Sequence, residues 1–196
     1  MLKNHLEIAR RSKKLVAINT SVLLSVCLFV CISLTTIVGY AQISGKVVGI
    51  TDGDTFTLLA ESKLQVKVRL HGIDAPEKNQ DFGQTAKKFL SDAIFNKTVW
   101  IKTKGNDWYG RTIGIVYCNA NLSGASVNEL TISSGYAWHF KKYDHNPAWA
   151  ELEKQARKEG KGLWIDKNAI APWDFRKNSR TKTATKLPAL SQVAGS

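Results

Sequence analysis

The segment Arg69-Leu70-His71-Gly72-Ile73-Asp74-Ala75-Pro76-Glu77 closes an alternating run with two carboxylates three residues apart, and Pro76 stiffens the exit. Two other turns carry complementary groups, Asp52-Gly53-Asp54-Thr55 and Asp107-Trp108-Tyr109-Gly110-Arg111. Each alone is a weak signal, because Asp-Gly is a common turn pair. Together they hold hard oxygen ligands, a carboxylate base and two guanidinium groups, an inventory suited to cutting a phosphodiester. Asp54 and Asp74 supply carboxylates to a cation such as Ca²⁺ if the fold brings their strands together. Arg69 and Arg111 bind phosphate oxygens and offset charge building on an attacked phosphorus. Glu77 is then left to activate water.

These groups have to be positioned by short strands. Gly45–Ile50, Thr55–Ala60, Leu64–Leu70, Thr98–Thr103 and Arg111–Cys118 are rich in β-branched and aromatic residues between turn signals, and they read as five strands. Phe82, Ala86, Phe89, Leu90, Ala93 and Ile94 recur at helical spacing between the third and fourth. A second helix spans Val127 to Ser133, closed by Gly135. A third follows Pro147, with Trp149, Leu152 and Ala156 on one face, and ends at Gly160 and Gly162. Five strands with inserted and appended helices suit a small Greek-key barrel of OB type, an α+β fold, better than a parallel sheet.

The chain has 196 residues and a formal net charge of +12, which points to a polyanionic partner, either nucleic acid or an anionic membrane. A basic leader (Lys3, Arg10, Arg11, Lys13, Lys14) precedes a charge-free stretch from Leu15 to Gly45. Residues 1–41 read as a signal peptide cleaved after Ala41 or, alternatively, as a retained anchor through residues 15–39. Either way the working domain, 42–177, lies outside the cytoplasm, secreted, periplasmic or membrane-anchored. Removing residues 1–41 leaves +8, so the basic excess belongs mostly to the domain. Cys27 and Cys31 fall in the leader, and Cys118 is expected as a small buried hydrophobe. Residues 178–196 read as a disordered basic tail.

At this point the chain resembles the staphylococcal (micrococcal) nuclease family. Asp52–Glu77 matches the family's DGDT, arginine and D-x-P-E signature, and Asp107–Tyr117 its second signature, Tyr-Gly-Arg followed by an alternating strand. The similarity runs on through Asn128-Glu129-Leu130 and Gly135-Tyr136-Ala137 to Lys161-Gly162-Leu163-Trp164, covering roughly Ser44 to Trp173. The resemblance implies a five-stranded OB barrel with three helices and a Ca²⁺ held by Asp54, Asp74 and the backbone carbonyl of Ala75. It implies Arg69 and Arg111 as phosphate-binding catalytic arginines, Glu77 as general base and Asp52 as an acidic neighbour that tunes the metal site. The family's activity implies endonucleolytic cleavage of DNA and RNA with low sequence specificity. The resemblance also implies that the P–O5′ bond breaks and that 3′-phosphates remain. A monomer without an obligate protein partner is expected.

Three departures stand out. Phe56 replaces an aliphatic residue after DGDT, a repacked barrel position. Trp108 stands where the family has Lys or Arg, offering an indole to stack on a base. The segment Trp138–Tyr143 aligns ambiguously with the family's pocket tyrosines, so Tyr109 is a nucleotide contact and Tyr143 a weaker candidate. The rival is a non-catalytic OB module binding single-stranded nucleic acid. Such a binder has no use for Asp54, Asp74 and Glu77, which repel phosphate unless a cation sits among them. His71, His139 and His145 lack metal-ligand spacing. The charged residues from Glu151 to Lys161 read as a solvated helix face.

Overall fold

A computed structural model describes residues 42–185; the leader, 1–41, and residues 186–196 lie outside the described residues. Five strands close a barrel: β1 (Gln42–Ile50), β2 (Thr55–Ala60), β3 (Gln65–Leu70), β5 (Thr98–Asn106) and β6 (Thr112–Tyr117). Their order is β1-β2-β3-β6-β5, with β5 returning to β1. Every pairing is antiparallel except β3 with β6, where Val68 opposes Thr112 and Leu70 opposes Gly114. This is the expected OB-fold. Alternation drives it: Val47, Phe56, Leu58, Val68, Val99, Ile101 and Val116 point inward and are fully buried. Phe56 does fill the barrel.

Between β3 and β5 lie β4 (Ile73–Asp74) and α1 (Gly83–Ile94); β4 pairs with β7 (Trp138–His139). Helix α1 buries Gly83, Ala86, Leu90 and Ile94, one face at helical spacing. Helix α2 (Val127–Ser133) starts at a reciprocal cap in which the Ser126 hydroxyl accepts from the Glu129 amide and Glu129 accepts from the Ser126 amide. Helix α3 (Pro147–Lys158) is capped by Asn146, starts at Pro147 and buries Trp149 and Ala156. A short 3₁₀ turn, Gly162–Ile165, follows.

The structure departs from expectation at three places. Pro172–Thr185 form a fourth helix, α4, so Asn178–Thr185 are helical where the sequence reading begins a disordered tail. Its first turn is held by the buried Pro172 and by Trp173, which the polar composition of the tail conceals. Cys118 is exposed, because β6 ends at Tyr117 and the chain turns outward. The charged face of α3 is not wholly solvated. Glu153 is buried, pairs with Arg157 at 2.7 Å, and Arg157 lies 3.6 Å from the Trp164 ring centroid. Among the described residues no helix is long and apolar enough to cross a membrane.

Candidate active site

The β1–β2 turn presents Asp54. The Asp52 side chain accepts the Asp54 amide at 3.1 Å, and Thr51 N–H donates to the Thr55 carbonyl at 2.9 Å, tightening the turn. Gly53 is required here: a Cβ would lie 2.7 Å from the Ala75 Cβ and 2.8 Å from that of Ala86. The β2–β3 register sets Thr55 opposite Arg69, which brings the Arg69 guanidinium beside Asp54. The β4–β7 ladder fixes Asp74 on its other side.

Both aspartates converge on that guanidinium. Arg69 Nη1 donates to Asp54 Oδ1 at 2.8 Å and Nη2 to Asp74 Oδ1 at 2.7 Å. Asp54 also accepts from Thr55 Oγ1 at 2.8 Å and from the Ala75 amide at 3.1 Å, so the Ala75 backbone lies against the same carboxylate. Asp54 is 2% exposed and Asp74 0%. Burial pushes the Asp54 carboxyl up to about 6, against the pull of Arg69 and with a further push from the like charge of Asp52. Burial works against the charge of Arg69 too, but the facing Asp54 and Asp74 outweigh it and raise its pKa.

Glu77 leaves β4 on the irregular segment before α1 and is partly exposed. Its amide donates to Gln80 Oε1 at 3.1 Å, and its carboxylate accepts from Arg176 Nη1 of α4 at 2.6 Å. The same guanidinium grips Asp74, with Nη2 at 2.7 Å from Oδ2 and Nη1 at 3.3 Å from Oδ1. Arg176 and Gln80 are the site neighbours that sequence reasoning missed. Asn128 is a third: fully buried, it accepts the Val116 amide at 3.0 Å and donates to the His71 carbonyl at 2.9 Å, locking the end of β3 to β6. The run Pro172-Trp173-Asp174-Phe175-Arg176, aromatic and cationic ahead of a polar tail, was the available signal for Arg176.

Arg111 stands apart from this cluster. Its Nε and Nη2 each lie 2.7 Å from Asp107 Oδ2, and its guanidinium carbon is 5.5 Å from the Tyr109 ring centroid. It precedes β6, one residue before Thr112, the partner of Val68. Hydrogen bonds from Arg111 and Tyr109 outweigh burial and lower the Asp107 pKa. Trp108 and Tyr109 project fully or largely into solvent beside it. Tyr143 is also exposed, edge-on to Phe140 at 4.9 Å. The contacts therefore unite Asp54, Asp74, Arg69, the Ala75 backbone and Glu77, with Asp52 behind them. They leave Arg111, Trp108, Tyr109 and Tyr143 outside.

Among the described residues no three His, Cys, Asp or Glu side chains are assembled as a metal cluster. The donor chemistry nonetheless fits a hard cation: two buried carboxylates, Asp54 and Asp74, that share Arg69, and a third, Glu77, tied to Asp74 through Arg176, all of them oxygen donors.

Comparison with known proteins bears on the family. The family described as "Staphylococcal nuclease homologue" matches residues 67–166. An "Uncharacterized endonuclease" of Haemophilus influenzae is 41% identical over 139 residues, 71% of this chain and 76% of that protein. A "Micrococcal nuclease" of Shigella flexneri is 36% identical over 157 residues, 76% and 90% of the two chains. "Protein ParB" of Escherichia coli is 38% identical over 150 residues, 73% and 84%. With this barrel, this motif set and these relatives, the chain belongs to the staphylococcal nuclease family.

Proposed function

We propose that the chain is an exported, Ca²⁺-dependent endonuclease that hydrolyses DNA and RNA with low sequence specificity and leaves 3′-phosphates. The observation that carries this reading is the convergence of buried Asp54 and Asp74 on one guanidinium, with Glu77 tied to the same cluster. Burying two carboxylates this deeply is costly without cationic partners. A bound Ca²⁺ would supply positive charge to the phosphoryl oxygen. Asp54, Asp74 and the Ala75 carbonyl would hold it, and Asp52 would add negative charge from behind. Arg69 binds phosphate oxygens from the barrel side, and Arg111, oriented by Asp107, does so from the start of β6.

Water oxygen attacks phosphorus in line with the leaving 5′-oxygen. Glu77 takes the proton of the attacking water, the new P–O bond forms as P–O5′ breaks, and the 5′-oxygen leaves as a hydroxyl after protonation. The two arginines offset the charge that builds on the five-coordinate phosphorus. Contacts made to phosphate rather than base edges carry little sequence information. Trp108, fully exposed beside Arg111, together with Tyr109 and Tyr143, supplies stacking surfaces for bases. Residues 1–41 direct export or anchor the domain outside the cytoplasm, and the enzyme acts as a monomer.

The test is direct. The purified full-length chain cuts DNA with Ca²⁺ present and stops when EGTA is added. Protein that binds DNA yet leaves it intact with Ca²⁺ is a non-catalytic OB module, and that result overturns this reading.

A further inference from the structure

Helix α4 is a polar segment that packs by its first turns. The Trp173 ring stacks on Phe140 at 5.0 Å with an interplanar angle of 6°, and meets Trp138 edge-on at 6.5 Å. Arg176 follows three residues later, so it lies on the same face of the helix and is carried back over β4. There its planar fork binds two carboxylates that differ in burial. Asp74 is fully buried and set by the β4–β7 ladder. Glu77 sits on the irregular 75–82 segment, its side chain 39% exposed. Arg176 Nη1 reaches Glu77 Oε1 at 2.6 Å while Nη2 holds Asp74 Oδ2 at 2.7 Å.

We infer that Arg176 is a positioning residue for Glu77: it couples the carboxylate that takes the proton from water to the fixed Asp74. This rests on the reading of Glu77 as general base. The cation seen on Glu77 is Arg176, while Arg69 pairs with Asp54 and Asp74. A carboxylate on an irregular loop samples many orientations, and a rigid two-pronged donor selects one. The segment after the barrel thus completes the active site, and the catalytic unit extends through α4.

The experiment is steady-state cleavage of a defined oligonucleotide by the full-length chain in Ca²⁺. Arg176→Gln is expected to lower kcat about 10- to 100-fold with KM within about threefold, the signature of lost orientation rather than lost binding. Arg176→Lys, which keeps the charge and loses the fork, recovers only part of kcat. On a Glu77→Gln background, Arg176→Gln costs less than about threefold more, because it acts through Glu77. Melting temperatures in EGTA check the fold, and Arg176→Lys carries the comparison if the Gln variant unfolds. Wild-type or faster turnover in Arg176→Gln, or an undiminished cost on the Glu77→Gln background, overturns the assignment while the hydrolytic reading stands. A wild-type chain that cuts nothing overturns both.

Discussion

Gly83 offers a way to move Glu77 without touching a polar group. It opens α1, and a Cβ added there would lie 2.0 Å from the Glu77 carbonyl oxygen, 2.9 Å from its carbon and 3.3 Å from the Lys78 carbonyl carbon. Ordinary carbon contacts begin near 3.5 Å, so Gly83→Ala forces more than about 1 Å of separation. The helix cannot give, because Ala86, Leu90 and Ile94 anchor it in the core. The 77–82 segment yields instead, and Glu77 swings away from Arg176 and Asp74. Displacements of about 1 Å cost on the order of 100-fold in rate. Stability changes less: overpacking costs about 1–3 kcal/mol, and better helix propensity returns up to about 1 kcal/mol. The assay is kcat on DNA in Ca²⁺ beside a thermal melt and a DNA-binding measurement in Ca²⁺. We expect a folded protein with near-normal affinity and kcat down about 100-fold. Turnover within about threefold of wild type refutes the claim that the Glu77 position governs the rate.

Two further outcomes follow from the site's surroundings. Trp108→Ala removes a fully exposed indole and is expected to weaken single-stranded DNA binding by about 1–3 kcal/mol in a fluorescence titration; unchanged affinity assigns the indole no stacking role. Burial lowers the His71 pKa despite Asp144, whose Oδ2 lies 3.3 Å from His71 Nε2, and Lys104 adds to the lowering. The folded state therefore binds fewer protons than the unfolded state just below pH 6.5, so this group's contribution to stability is lost as pH falls through that window. Urea melts at pH 7.5 and 5.5 isolate this contribution by difference: acidification should cost wild type more stability than it costs His71→Gln, and an equal pH slope in both proteins contradicts the lowered pKa of His71.

The barrel was legible because its strands alternate and its neighbouring helices repeat every three to four residues. Val66-Lys67-Val68-Arg69-Leu70 and the buried face of α1 needed no further information. Strands β4 and β7 were not, since two residues have no period and exist only as partners. Helix α4 escaped because its apolar contacts end within its first turns. Asp54, Asp74, Arg69 and Glu77 were legible as a motif before anything showed that they meet. Arg176 was not, because it joins Glu77 across 99 residues of sequence and belongs to no local pattern. Cys118 was misread because an apolar strand pattern does not mark the residue at which the strand ends.

The central claim is that Glu77 acts on water beside a cation held by Asp54 and Asp74. Its most direct measurement is single-turnover cleavage by Glu77→Gln in Ca²⁺, with affinity for the same oligonucleotide measured in parallel. The account predicts a rate at least about 100-fold below wild type and affinity within a few-fold. Rate and affinity lost together, or neither lost, would contradict it.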